Sequence, residues 1–168
     1  MKHWQKILLA SILILLGIAF ISFSLYKLKF SMEIAKPFEV NTTEMPHHVL
    51  IATQGSQFKN AVVSATVDHF SGQHFYLKVI DVHDLDSIRE KDWNVIVLIH
   101  TWENSQPPEA VKKFWDRQHD LRKIIVFTTS GQGHQRLDTV DGITSASDMK
   151  EVDAGARKII SRIEELTH

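Results

Sequence analysis

The chain has 168 residues, 19 Lys and Arg against 20 Asp and Glu, a formal net charge of −1 and no cysteine. That balance lacks the single-sign field of a nucleic-acid binder, so no nucleic-acid partner is expected. The missing cysteine excludes disulfides, thiolate nucleophiles and Cys-based zinc or iron–sulfur centres, and leaves the compartment open.

In chain order, the first element is Ile7 to Tyr26, "ILLASILILLGIAFISFSLY", which carries no charge. About 20 residues rising ~1.5 Å each span a hydrocarbon core of roughly 30 Å, so this segment predicts a membrane-spanning helix. Lys2 and Lys6 precede it, Lys27 and Lys29 follow it, and Trp4 and Tyr26 stand where interfacial aromatics belong. A cleaved signal peptide competes with a permanent anchor, because Ser22-Phe23-Ser24 offers a small-x-small pattern. The apolar run is long for a signal, which favours the anchor. The expected division is an anchor at 1–27, a tether at 28–46 rich in Pro, Asn and Thr, and a domain at 47–168. The expected location is the cell membrane, single-pass, with the domain on the extracytoplasmic side.

The domain alternates short apolar runs with helix-period segments, the rhythm of βαβ units. A first strand is expected near Val49–Ala52, then a helix with Phe58, Ala61, Val62, Ala65 and Phe70 at helical spacing. A second strand follows at Phe75–Val82 and, after a polar loop, a third at Asn94–Ile99, apolar throughout as a central strand should be. Pro108 suits the first turn of the next helix, with Ala110, Val111, Phe114 and Trp115 on its apolar side. A fourth strand is expected at Lys123–Thr128, a fifth at Val140–Thr144, and a last helix with Val152, Ala156, Ile159 and Ile163 in a stripe. Ser147 is the expected N-cap of that helix. Too few residues separate the fourth strand from the last helix for a full crossover helix. The fold class is therefore α/β: an open parallel sheet of four to five strands with helices on both faces, preceded by one transmembrane helix.

Ligands of such sheets bind beyond the C-terminal ends of the strands. Three loops leave those ends. The first holds Thr53, Gln54, Gly55, Ser56 and Gln57 before a helix N-terminus, where free amides and the helix dipole favour a phosphate. The second begins Thr101-Trp102, whose indole suits a planar ring. The third is Thr129-Ser130-Gly131-Gln132-Gly133, with two glycines that let backbone approach a ligand closely. No nucleophile elbow, carboxylate pair or helical His pair stands out, so neither a catalytic residue nor a metal site is expected.

The order and spacing of these three loops resemble the flavodoxin-like family. "LIATQGSQFKNAV" looks like its phosphate loop, "VIVLIHTWENSQPPEAVKKFW" like its third strand and tryptophan loop, and "KIIVFTTSGQG" like its fourth strand and second ring loop. The resemblance implies bound flavin mononucleotide (FMN), with Thr53, Ser56 and Gln57 facing the phosphate, Trp102 covering one ring face, and Ser130, Gly131 and Gln132 bordering the ring. It also implies electron transfer with a redox partner protein rather than stand-alone catalysis. The chain departs from the pattern in having Gln57-Phe58 where the family loop ends in Asn-Thr, and in lacking an aromatic in the third loop. A flavin-free interaction or sensory domain that kept the fold is the alternative.

A separate stretch, Asp141 to Ser147 or "DGITSAS", resembles the acceptor motif of covalently flavinylated proteins. That likeness would make Ser147 the hydroxyl carrying FMN through a phosphoester. The plainer reading is a loop, a strand residue and a helix cap.

Overall fold

The structure, a computed structural model, describes residues 3–30, 33–102, 106–129, 142–145 and 147–168. The chain forms two compact units, Met1–Met32 and Glu33–His168. The first is a single helix, α1 (His3–Phe30). Its segment Trp4–Ser24 is long and apolar enough to cross a membrane, a property that anchors and signal sequences share.

The second unit is a six-stranded sheet with strands β1 (Phe38–Val40), β2 (His47–Thr53), β3 (Phe75–Asp81), β4 (Val95–Thr101), β5 (Ile124–Thr129) and β6 (Gly142–Ser145). Helices α2 (Gln57–Phe70), α3 (Glu109–Asp116) and α4 (Val152–Thr167) complete it. The spatial order is β1-β3-β2-β4-β5-β6; β1 runs antiparallel to β3 and every other pairing is parallel. From β2 the chain winds outward to β3, then returns to β4 on the other side. This is the flavodoxin-like doubly wound order, and its switch point lies between β2 and β4.

The two-residue period of the strands divides the core. Val49 and Ile51, Leu77 and Val79, Val97 and Ile99, and Ile125 and Phe127 face α2 and α4. Leu50, Ala52, Ile96, Leu98 and Val126 face the other side, where Val111 and Phe114 of α3 and Val82 and Leu85 of a short 3-10 segment cover them. Because both faces are covered, β4 reads as an unbroken apolar run. The β3–β4 crossover has only 3-10 turns, Val82–Ser87 and Glu90–Asp92, where a longer chain would place a helix. Arg117 at the end of α3 compensates. Its guanidinium donates to the carbonyls of Leu85 and Ile88 and lies 5.2 Å from the Phe114 ring centre.

Several expectations are corrected. The sheet has six strands rather than four to five, because Phe38–Val40 adds an antiparallel edge. Three residues carry no readable period, so the strand is hidden in a segment that reads as tether. Apart from these corrections, α1 extends to Phe30 and the compact unit that holds the sheet begins at Glu33. The last helix is not capped by Ser147. The Asp148 carboxylate accepts from Lys150 N and opens a 3-10 turn, and α4 starts at Val152. A carboxylate is as good an acceptor for those first amides as a hydroxyl. The fifth strand lies at Gly142–Ser145, while 140 and 141 fall outside the described residues.

β1 is held by side chains as well as by its ladder. Glu39 stands opposite Lys78, with Nζ to Oε1 at 3.0 Å. Lys78 and then Tyr76 hold the Glu39 carboxyl below the usual range. Burial, then the hydrogen bond to Glu39, pushes the Tyr76 phenol from 10.0 up to about 12. The folded chain therefore keeps this proton more tightly than the unfolded chain. The resulting stabilisation is complete below pH 10.0 and is lost as pH rises toward about 12. In a Tyr26→Phe background, the phenolate absorbance of Tyr76 should rise near the upper value, and Tyr76→Phe should flatten the alkaline fall in stability. A phenolate appearing at the ordinary tyrosine value would contradict this placement.

Candidate functional site

The first loop is built by β2 running into α2. Ser56 has extended backbone angles, φ −164° and ψ 158°, and its side-chain oxygen accepts from Lys59 N at 3.2 Å. It is the N-cap, which leaves its hydroxyl proton free to donate elsewhere. Among the described residues the amides of Ser56, Gln57 and Phe58 make no hydrogen bond, as expected for a helix's first turn. Gln57 is exposed. Phe58 turns away from the loop into the core, 4 % exposed, stacked on Phe127 with ring centres 6.3 Å apart. It does not obstruct the loop.

The other residues of this loop are engaged within the chain. Thr53, 1 % exposed, donates its hydroxyl to the Gln54 carbonyl. Gln54 bridges the switch point: its amide donates to Ile99 O at 3.1 Å and its Oε1 accepts from Thr101 N at 2.8 Å. Gly55 pairs with Glu33 in both directions, Gly55 N to Glu33 O at 2.7 Å and Glu33 N to Gly55 O at 3.1 Å.

The second and third loops meet beside it. Thr101 Oγ1 and Thr129 Oγ1 are 2.8 Å apart, and Trp102 N donates to Thr129 O at 3.2 Å. The Trp102 ring lies tilted beside His100, ring centres 6.4 Å apart. Its indole N–H is enclosed and has no hydrogen-bond partner among the described residues. Such an orphan donor is costly unless something accepts from it. Ser130, Gly131, Gln132 and Gly133 lie outside the described residues. Ser147 is exposed, two residues past β6, on the same C-terminal edge of the sheet.

One residue at this edge was not expected. Lys59 is 1 % exposed, and its ammonium donates to Thr101 Oγ1 at 2.8 Å. The signal was present. Lys59, Val62, Val63 and Thr66 form an i, i+3, i+4, i+7 stripe, all buried, so the lysine falls on the inward face. Read by residue type, a lysine is assigned to solvent.

Two depressions flank the first loop. One, about 610 Å³, lies along α2 and is lined by Glu33, Lys36, Phe38, Thr53, Asn60 and Val67 among others. The other, about 350 Å³, lies on the α3 side and includes Gln54, His83, Glu109 and Lys113.

No family model matches the chain, and no curated protein matches it. Among solved structures it is similar to oxidised Flavodoxin 2 from Bacillus cereus, at 16% identity and a TM-score of 0.46, over 70% of this chain and 99% of that one. It is also similar to an oxidoreductase from Corynebacterium diphtheriae, at 14% identity and a TM-score of 0.41, over 74% of this chain and 96% of that one.

Proposed function

We propose that the chain is a membrane-tethered, flavodoxin-like protein that binds FMN non-covalently at the C-terminal edge of its sheet and passes electrons between partner proteins. The observation that carries this reading is the enclosed indole N–H of Trp102, which has no hydrogen-bond partner among the described residues, one strand over from three amides at the start of α2 that have none there either. A group with a phosphate and a flat, acceptor-bearing ring answers both needs. The residues fit that group. The amides of Ser56, Gln57 and Phe58 with the Ser56 hydroxyl would hold the phosphate, and Trp102 would line the ring. Thr101 and Thr129 fix the backbone that carries Trp102. FMN, when bound, supplies the electron-transfer chemistry; the protein supplies orientation and electrostatics. Trp4–Ser24 would anchor the chain as a single span, with the domain on the extracytoplasmic side.

Titration of the full chain in detergent with FMN, followed by flavin fluorescence, tests the reading. Quenching that saturates is expected for the wild type, and Trp102→Ala should weaken binding by about tenfold, the worth of one good aromatic stack. Saturable quenching unchanged in Trp102→Ala would remove the tryptophan from the site.

A flavin-free interaction domain is favoured by one observation, the engagement of both backbone groups of Gly55 by Glu33. Attachment of FMN to Ser147 is supported by the exposure of that serine at the same edge.

A further inference from the structure

Residues 33–37 cross the C-terminal edge of the sheet before entering β1. Three backbone contacts fix them there. Glu33 pairs twice with Gly55, and Ala35 N donates to Asp81 Oδ2 at 2.6 Å. The approach at Gly55 is so close that an added Cβ would stand 2.4 Å from the Glu33 carbonyl oxygen. Among the described glycines only Gly72 has a left-handed backbone, with φ 74°. Gly55 is therefore required by the crossing segment rather than by its own conformation. The Gly55 amide stands one residue before the open amides of α2, and here the chain itself accepts from it. The segment also brings an acidic residue, Glu33, against the start of α2, where a negative ligand group would sit.

We propose that residues 33–37 form a strap that competes with the phosphate of the ligand for the loop 53–57. The inference rests on the FMN reading above and adds its regulation. With the strap down, Gly55 is withdrawn from the site. With it lifted, the Gly55 amide joins those of Ser56, Gln57 and Phe58 in one row. The strap is built to lift: β1 is a three-residue edge, and Ile34 and Phe38 are 78 % and 43 % exposed. Segments with so few buried contacts open at far lower cost than the core.

The test compares the full chain in detergent with a Glu33→Pro/Ala35→Pro variant. These prolines delete the Glu33 and Ala35 donors, two of the three strap contacts, without substituting any residue of the loop, β1 or Asp81, and leave only the bond from the Gly55 amide to the carbonyl of residue 33 to hold the strap. The probes are FMN and riboflavin, which lacks the phosphate. The strap predicts an affinity for FMN about tenfold higher in the variant and an unchanged affinity for riboflavin. Hydrogen exchange on the wild type gives a second readout that needs no variant: saturating FMN should strip protection from the Ala35 amide. Equal FMN affinities, or Ala35 protection kept in the complex, would overturn the strap and leave the FMN reading standing. A gain shared equally by riboflavin would overturn competition with the phosphate. Absence of FMN binding to either protein would remove both the function and the strap.

Discussion

Phe127→Ala is expected to cost about 3–5 kcal/mol of stability, read as a lower urea midpoint at unchanged slope. Phe127 is fully buried on β5 and stacks on Phe58 of α2. Gly155 of α4 sits over the ring, so close that an added Cβ would lie 3.1 Å from its Cε2 and Cζ. The ring thus fills the space where α2, α4 and the sheet converge. In the wild type, Gly155→Ala gains helix propensity of about 1 kcal/mol but crowds the ring. In the Phe127→Ala background the crowding is gone, so the same change should stabilise. Additive effects of the two substitutions would contradict the contact.

Asp81→Ala should cost about 2–4 kcal/mol, because its buried carboxylate gathers three donors. Ala35 N lies 2.6 Å from Oδ2, and His83 N and Nδ1 lie 3.0 and 2.5 Å from Oδ1. Asp81 is 2 % exposed at the end of β3 and Ala35 is 6 % exposed, so the Ala35 amide is left without an acceptor, whereas the exposed His83 can turn to water. Asp81→Asn keeps one acceptor oxygen and should cost roughly 1 kcal/mol. The loss also reaches beyond stability: with Asp81 gone the Ala35 amide should exchange with solvent at the rate of a free segment. Full protection of Ala35 in Asp81→Ala would show that the strap does not depend on this carboxylate.

The parallel part of the sheet was legible because its strands are buried on both faces. The apolar run of β4 and the inward stripe of α4 admit few other readings. β1 was not legible, since its three residues are fixed by register with β3 and by the Glu39–Lys78 pair, neither of which leaves a local period. The first loop joins β2 to α2 where the apolar run gives way to a helical period, but its internal use of donors was hidden. Gln54 reads as a loop glutamine, and only the fold brings the Thr101 amide to its Oε1. Gly55 reads as freedom for a turn, whereas it makes room for Glu33. Lys59 shows the converse, a charge on a helix face that spacing marks as buried while residue type marks it as exposed.

The most direct test of the account is the visible spectrum of the purified full chain after incubation with FMN and removal of excess, recorded before and after denaturation. The account predicts a stable flavin spectrum in the folded protein and quantitative release of FMN on denaturation. Flavin that stays attached after denaturation and is lost in Ser147→Ala would replace non-covalent binding with the covalent carrier. A colourless chain that retains no FMN would contradict the redox function and leave a flavodoxin-like fold serving as an interaction domain.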